Sequence, residues 1–118
     1  MRGAKCLYHG RQPAHEIHLP LIVFAELLAG FAAGTQARKN RDELGQFMAS
    51  PRVHLLNPDE KTAHHYADLF AALRKMGTPI PTNDMWIAAL VRQHRLPLLS
   101  LDTHFAAVPG LVMAEIPS

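Results

Sequence analysis

The sequence predicts an α/β domain with a mainly parallel sheet. Short apolar segments of strand type alternate with longer helical segments, and parallel strands need such crossover helices to connect them. The length of 118 residues, 48% of them hydrophobic, suits one domain with its own core, and a net charge of +2 is too small to favour disorder. We therefore expect a single domain over residues 1–118, in which residues 1–16 form an atypical segment without clear periodicity.

Each predicted element has a local signal. Residues 17–19 are typical of a short strand, and Pro20 opens a helix that continues to about Ala33. This helix is apolar on nearly every side, which predicts burial between layers. Asn57 and Asp59 mark the start of a later helix, and Gly77 marks its end. The other predicted elements are helices over 35–49 and from about 82 to 94, and strands over 4–8, 52–56, 96–101 and 111–116.

Cysteine and histidine usage excludes several kinds of site. The lone Cys6 rules out an internal disulfide framework and a thiolate zinc cage, and it favours a reducing cytoplasm. The eight histidines lack the spacing of a metal motif, because His64 and His65 are adjacent and no HExxH occurs. No apolar run reaches the ~18–20 residues of a membrane span, so no membrane partner is expected.

Three acidic residues stand at positions where solubility alone does not explain them. Glu26 lies within the most apolar helix, Asp84 follows the start of the fourth helix, and Asp102 directly follows an apolar strand. Each also has a purely structural explanation: an exposed helix stripe for Glu26, the helix dipole for Asp84, and a turn for Asp102. Together they supply one acid per strand–helix unit, near the strand ends where α/β proteins place their sites.

Acids that share a cleft repel one another unless a cation holds them. A hard divalent cation prefers oxygen ligands, so Mg²⁺ or Mn²⁺ is the expected cofactor of Glu26, Asp84 and Asp102. Such a cation can orient a water and offset charge that develops on a phosphoryl group.

Four segments resemble PIN-domain proteins, and within that family the VapC-type toxins of bacterial toxin–antitoxin pairs. Residues 79–89 (PIPTNDMWIAA), 98–105 (LLSLDTHF) and 108–111 (VPGL) are similar to the C-terminal half of the family. Residues 19–30 (LPLIVFAELLAG) are similar to the segment that carries its conserved Glu. The similarity extends from about Ile17 to Ile116, in the family's order.

This resemblance implies a three-layer α/β/α fold and a Mg²⁺- or Mn²⁺-dependent endoribonuclease. It further implies a cytoplasmic homodimer that acts on RNA and is blocked by a cognate antitoxin. Carried over by position, Glu26, Asp84 and Asp102 occupy three of the family's four acidic sites and are expected to be both catalytic and metal-binding. Asn83, which precedes the second of these acids, and Ser100 are expected to support them.

The N-terminal segment departs from the family pattern. Family members begin with a central strand that ends in Asp, whereas this chain has no Asp before Asp42. Glu16 directly precedes the next strand and cannot replace that acid without a different backbone path. A truncated gene, a misassigned start or a degenerate copy would explain the departure, and residues 4–8 would then provide a replacement strand.

Two further groups of residues have alternative interpretations. Arg38, Lys39 and Arg41 crowd the start of the second helix, where they either contact RNA phosphates or form a solvated face. The large apolar residues of the second and third helices are expected to be mainly core, with part available for a dimer or an antitoxin helix. These residues are Leu44, Phe47, Leu69, Phe70 and Leu73.

Three functional hypotheses follow. The first is a VapC-like toxin ribonuclease, and the second is an impaired PIN remnant that binds antitoxin or RNA without cleavage. The third is a DNase or structure-specific nuclease, since the same metal chemistry serves both nucleic acids. The missing first acid separates the first two hypotheses, because catalysis by a positioned metal tolerates little displacement of its ligands.

Overall fold

The computed structural model describes residues 6–9, 16–99, 105 and 108–113. From β2 onward, a pair of helices separates each strand from the next, as the predicted elements indicate. The elements are β1 (Cys6–His9), β2 (Glu16–Pro20), α1 (Leu21–Ala33), α2 (Ala37–Met48), β3 (Val53–Leu56), α3 (Glu60–Met76), α4 (Thr82–His94) and β4 (Leu98–Leu99).

The strands form one sheet in the order β3-β2-β1-β4. β2 and β3 are parallel, with Ile17 opposite Val53, and β1 is antiparallel to both β2 and β4. Because β2 and β4 both oppose β1, they share one direction, and Met113 makes a further parallel bridge to Leu98. Within the described residues, three of the four strands therefore run in one direction, and β1 is the reversed strand, antiparallel to both of its neighbours.

β1 replaces the central strand that the resemblance implies, but it runs in the opposite direction. Its first residue, Cys6, pairs with Leu99 at the end of β4, and its last residue, His9, pairs with Glu16 at the start of β2. Because α1 directly follows β2, it begins on the side of the sheet where the carboxyl end of β2 lies. β1 runs in the opposite direction, so its carboxyl end lies on the other side, away from the start of α1.

Helices α3 and α4 form the best-packed part of the core. Leu69 and Leu73 of α3 are buried, as is nearly all of α4 from Asp84 to Val91. Asp59 caps α3 and Gly77 ends it in a left-handed conformation (φ 74°), so both predicted ends of this helix are confirmed. The core continues through buried residues of β2, α1, β4 and the C-terminal segment, namely Leu19, Val23, Leu98, Phe105 and Val108.

One expectation about burial is wrong, and another is confirmed in part. In α1 only Val23 is fully buried, so this helix is not enclosed between layers. Of the large apolar residues of α2 and α3, Leu69 and Leu73 are in the core as expected, whereas Phe47 and Phe70 are 40% and 50% exposed and belong to the part left outside it. An apolar composition shows how much surface a helix could bury, but it does not show which side of the helix will be covered. α1 packs on β2, α2 and α4 along only part of its circumference.

Among the described residues, no helix combines the length and apolarity required to span a membrane.

Candidate functional site

Glu26 lies on the face of α1 that borders an open cavity. The cavity has a volume of about 450 Å³. On α1 its wall includes Leu21, Ala25 and Ala29, which are four residues apart and therefore lie on one helical face. Ile22 and Glu26 form the adjacent row of the same face. Glu26 is half-buried, so its carboxylate combines contact with an apolar wall and access to solvent.

The start of α4 reaches the same cavity through Asn83. The side chain of Asn83 is exposed and lines the cavity together with Glu26 and Pro58. The structure thus brings together two of the predicted site residues that are far apart in the sequence. The next residue, Asp84, is completely buried and interacts with other groups of the protein. Asn83, rather than Asp84, is the polar residue that α4 presents to the cavity.

Asp102 and Ser100 lie outside the described residues, so their site roles remain predictions. β4 leads toward them, and it runs in the same direction as β2. The carboxyl ends of these two strands therefore lie at one edge of the sheet, which is the edge at which α1 begins. His104, which the sequence places beside Asp102, is also outside the described part of the chain.

The donor chemistry of the cavity suits a hard cation. Glu26 offers carboxylate oxygens, which are the ligand type that Mg²⁺ and Mn²⁺ prefer. In the described ranges, no three His, Cys, Asp or Glu side chains lie close enough together to hold a metal ion. Asp102 lies outside those ranges, and its contribution to a metal site at this cavity stays a prediction.

Neither Glu16 nor the end of β1 supplies a further acid to the cavity. Oε2 of Glu16 lies 2.9 Å from Nε2 of His54 on the neighbouring strand. The ring of His54 lies beside that of His18, with a centroid separation of 5.2 Å. These contacts occupy β2 and β3, whereas Glu26 lies in the second turn of α1, beyond the other end of β2. Glu16 thus belongs to a separate polar cluster.

The basic residues at the start of α2 line a different, shallow cavity. Arg38 and Lys39 share it with Asp42 and Glu43, whose negative charges offset theirs. Arg41 is exposed on the same helix. This balance of charge favours the solvated-face interpretation over a strong phosphate site. Phosphate contact by these three residues remains a prediction.

Sequence reasoning missed the apolar wall around Glu26. The apolar character of its members indicates core positions, yet Leu21, Ala25 and Ala29 are exposed. The signal that identifies them is their spacing, since residues 21, 25 and 29 repeat every fourth position beside Glu26. Pro58 has no such signal, because only the fold brings the loop between β3 and α3 to this cavity.

The chain matches a protein family model and curated relatives along most of its length. The family model of the PIN domain matches residues 6–111. Ribonuclease VapC4 of Mycobacterium tuberculosis is 30% identical over 108 residues, which cover 90% of this chain and 82% of the relative.

Solved structures give the same result. The VapBC2 structure from Rickettsia felis, bound to a promoter DNA fragment, is similar with a TM-score of 0.76 and 25% identity, over 82% of this chain and 72% of that one. VapBC-5 of Mycobacterium tuberculosis, described as a member of a family of toxin–antitoxin systems, has a TM-score of 0.68 and 28% identity, over 80% and 79% of the two chains. These matches confirm the predicted family resemblance and its α/β fold.

Proposed function

This chain belongs to the PIN-domain family, and from that premise we propose that it is a VapC-like toxin ribonuclease, dependent on Mg²⁺ or Mn²⁺. The observation that carries the proposal is the shared cavity of Glu26 and Asn83. This cavity joins the two segments that resemble the family's acidic motifs, and a ribonuclease named VapC4 aligns over most of the chain. The reaction is hydrolysis of an RNA phosphodiester bond.

The residues proposed to hold the cation are Glu26, Asp84 and Asp102. When bound, a divalent cation supplies a Lewis acid that stabilises negative charge on a phosphoryl oxygen. Glu26 contributes its carboxylate from a half-buried position, where apolar neighbours on α1 reduce competition from water. Asp84 is completely buried in the first turn of α4, directly after Asn83.

Isothermal titration with Mn²⁺ tests the metal site directly. The wild-type protein is expected to bind Mn²⁺, and Glu26→Gln, Asp84→Asn and Asp102→Asn are expected to lose this binding. Glu43→Gln serves as a matched control, because Glu43 is exposed on α2 and lies outside the cavity. Equal binding by all five proteins would overturn the proposed site. Cleavage of single-stranded RNA with Mn²⁺ present is then measured for the same set.

A second candidate function is binding of RNA or an antitoxin without cleavage. The direction of β1 favours it, because the carboxyl end of this strand lies beside Glu16 and away from Glu26. A fourth acid at the end of a central strand, as in the family pattern, is therefore not supplied by β1. This candidate predicts RNA binding without any Mn²⁺-dependent product. It is rejected if the wild-type protein cleaves RNA and Glu26→Gln does not.

The proposed partner is a cognate antitoxin. The similar structures from Rickettsia felis and Mycobacterium tuberculosis are VapBC assemblies, the second described as part of a toxin–antitoxin system. We extend this pairing to the present chain, together with a homodimer and a cytoplasmic location. Co-expression with a VapB-type antitoxin, taken from an adjacent gene where one is encoded, tests the pairing: a stable complex is expected on gel filtration, and two separate peaks would contradict it.

A further inference from the structure

The part of the Glu26 cavity formed by described residues is mostly apolar, with two polar side chains. Of the seven described residues that line it, five are apolar, namely Leu21, Ile22, Ala25, Ala29 and Pro58. Among these seven, Glu26 carries the only charge and Asn83 provides the only neutral hydrogen-bonding side chain. If Glu26 holds a cation, as proposed above, then Asn83 is the group left to select what lies against the apolar wall.

We infer that Asn83 is a specificity-determining residue that hydrogen bonds to the edge of an RNA base. This inference rests on the proposed function, since it takes the substrate to be RNA. A base has apolar faces and a polar edge, so it can lie against Leu21, Ala25 and Pro58 and present its edge to a carboxamide. An Asn side chain offers a donor and an acceptor side by side, which matches the edge of a base better than a phosphate.

The size and exposure of the cavity agree with this assignment. A volume of about 450 Å³ lies within the range of small-ligand sites, which is enough for one nucleotide. Asn83 is exposed and can therefore reach a substrate, whereas Asp84 is completely buried. Recognition of single-stranded RNA depends on unstacked bases whose edges are free, so the cavity suits an exposed loop rather than a duplex.

A binding experiment separates this inference from the catalytic proposal. Glu26→Gln serves as the parent protein, because it removes the negative charge and the proposed metal ligand and so prevents cleavage. Fluorescence anisotropy then measures the affinity of this parent for four labelled RNA decamers, each made of a single base type. The same measurement is made with Asn83→Ala added and, as a matched control, with Asn57→Ala added. Asn57 is exposed and lies outside the cavity.

The parent is expected to prefer one base type by roughly tenfold, and Asn83→Ala is expected to remove this preference. Asn57→Ala should keep it. The inference is overturned if Asn83→Ala retains the ranking of the four RNAs, or if it weakens all four equally. It is also overturned if Asn83→Ala impairs only antitoxin binding, or if no RNA binds. If the ranking depends on Asn83 but the wild-type protein cleaves nothing, the inference stands and the catalytic proposal fails.

Discussion

Gln93, the penultimate residue of α4, donates a hydrogen bond from Nε2 to Oδ1 of Asp59 across 2.9 Å. Asp59 is also the N-cap of α3, where Oδ1 accepts a hydrogen bond from the backbone N–H of Thr62 at 3.1 Å. The Thr62 hydroxyl accepts from the backbone N–H of Asp59 at 2.9 Å and lies within hydrogen-bonding distance of Oε1 of Gln93. Three side chains thus join the start of α3 to the end of α4.

Removal of the Thr62 hydroxyl should destabilise this junction. Thr62→Val keeps the shape of a completely buried side chain but leaves the Asp59 N–H and the Gln93 carbonyl without this partner. We expect the free energy of unfolding to fall by about 1–3 kcal/mol, and Tm to fall by about 4 °C for each kcal/mol. Thermal unfolding monitored by circular dichroism measures the change. Thr78→Val, at an exposed position, should change Tm little, and a similar fall in both variants would contradict this role.

The junction should also make stability depend on pH. The pKa of Asp59 is lowered from its usual value of 3.8, chiefly because its carboxylate accepts the backbone N–H of Thr62 and then the Gln93 amide. A lowered pKa means that the ionised carboxylate stabilises the folded state above pH 3.8, and that this contribution is lost as the pH falls through the lower, folded-state value.

Comparison of wild type with Asp59→Asn measures that contribution. The difference in Tm should be largest near neutral pH and should shrink as the pH falls below about 3.8. The effect should be small, since Asp59 is exposed to solvent. Asp68→Asn, at an exposed position on the same helix, is the control. A difference in Tm that stays constant from pH 7 to pH 3 would exclude the ionised form of Asp59 as its source.

Two adjacent residues of α3 should respond very differently to truncation. Leu69 is completely buried, so Leu69→Ala should cost about 2–5 kcal/mol through lost burial and an unfilled cavity. Phe70 is 50% exposed, so Phe70→Ala should cost less than about 1 kcal/mol despite the larger side chain. Urea denaturation of both variants gives the two values. If Phe70→Ala lowered the free energy of unfolding more than Leu69→Ala, a partner or a second copy would have to cover this face.

Disulfide formation can test the reversed direction of β1. Cys6 and Leu99 are paired across adjacent strands, which brings their Cα atoms within the range of a disulfide. Leu99→Cys should therefore form an intramolecular bond with Cys6 under mild oxidation, detected as a loss of two hydrogens by mass spectrometry. Leu55→Cys, on the strand at the other side of the sheet, should not react with Cys6. Equal oxidation of both variants, or of neither, would argue against this register.

Metal binding should raise the stability of the folded protein through mass action. At a concentration one hundred times its Kd, Mn²⁺ should add about 2.7 kcal/mol to the stability of the wild type. Glu26→Gln should show little of this gain, because it lacks one proposed ligand. Thermal unfolding with and without Mn²⁺ measures the effect without any assay of activity. An undiminished gain in Glu26→Gln would place the bound metal elsewhere.

The sequence alone was sufficient for features that depend on neighbouring residues. The start of α3 at Asp59 and its end at Gly77 follow from capping chemistry within a few positions, and both are confirmed. The segments around Glu26 and Asn83 carry local patterns that are enough to identify the family from the order of the amino acids. Such signals can be recognised in the sequence because the residues that cause them lie within one or two helical turns of one another.

Only the tertiary structure decided which of these local features meet in space. The apolar residues of α1 indicated burial, but packing against β2, α2 and α4 left Leu21 exposed at a cavity. The place of β1 between β2 and β4 depends on pairing with Leu98 and Leu99, which are about ninety residues away in the chain. These outcomes arise from long-range contacts, whose energies depend on partners that no local window of sequence contains.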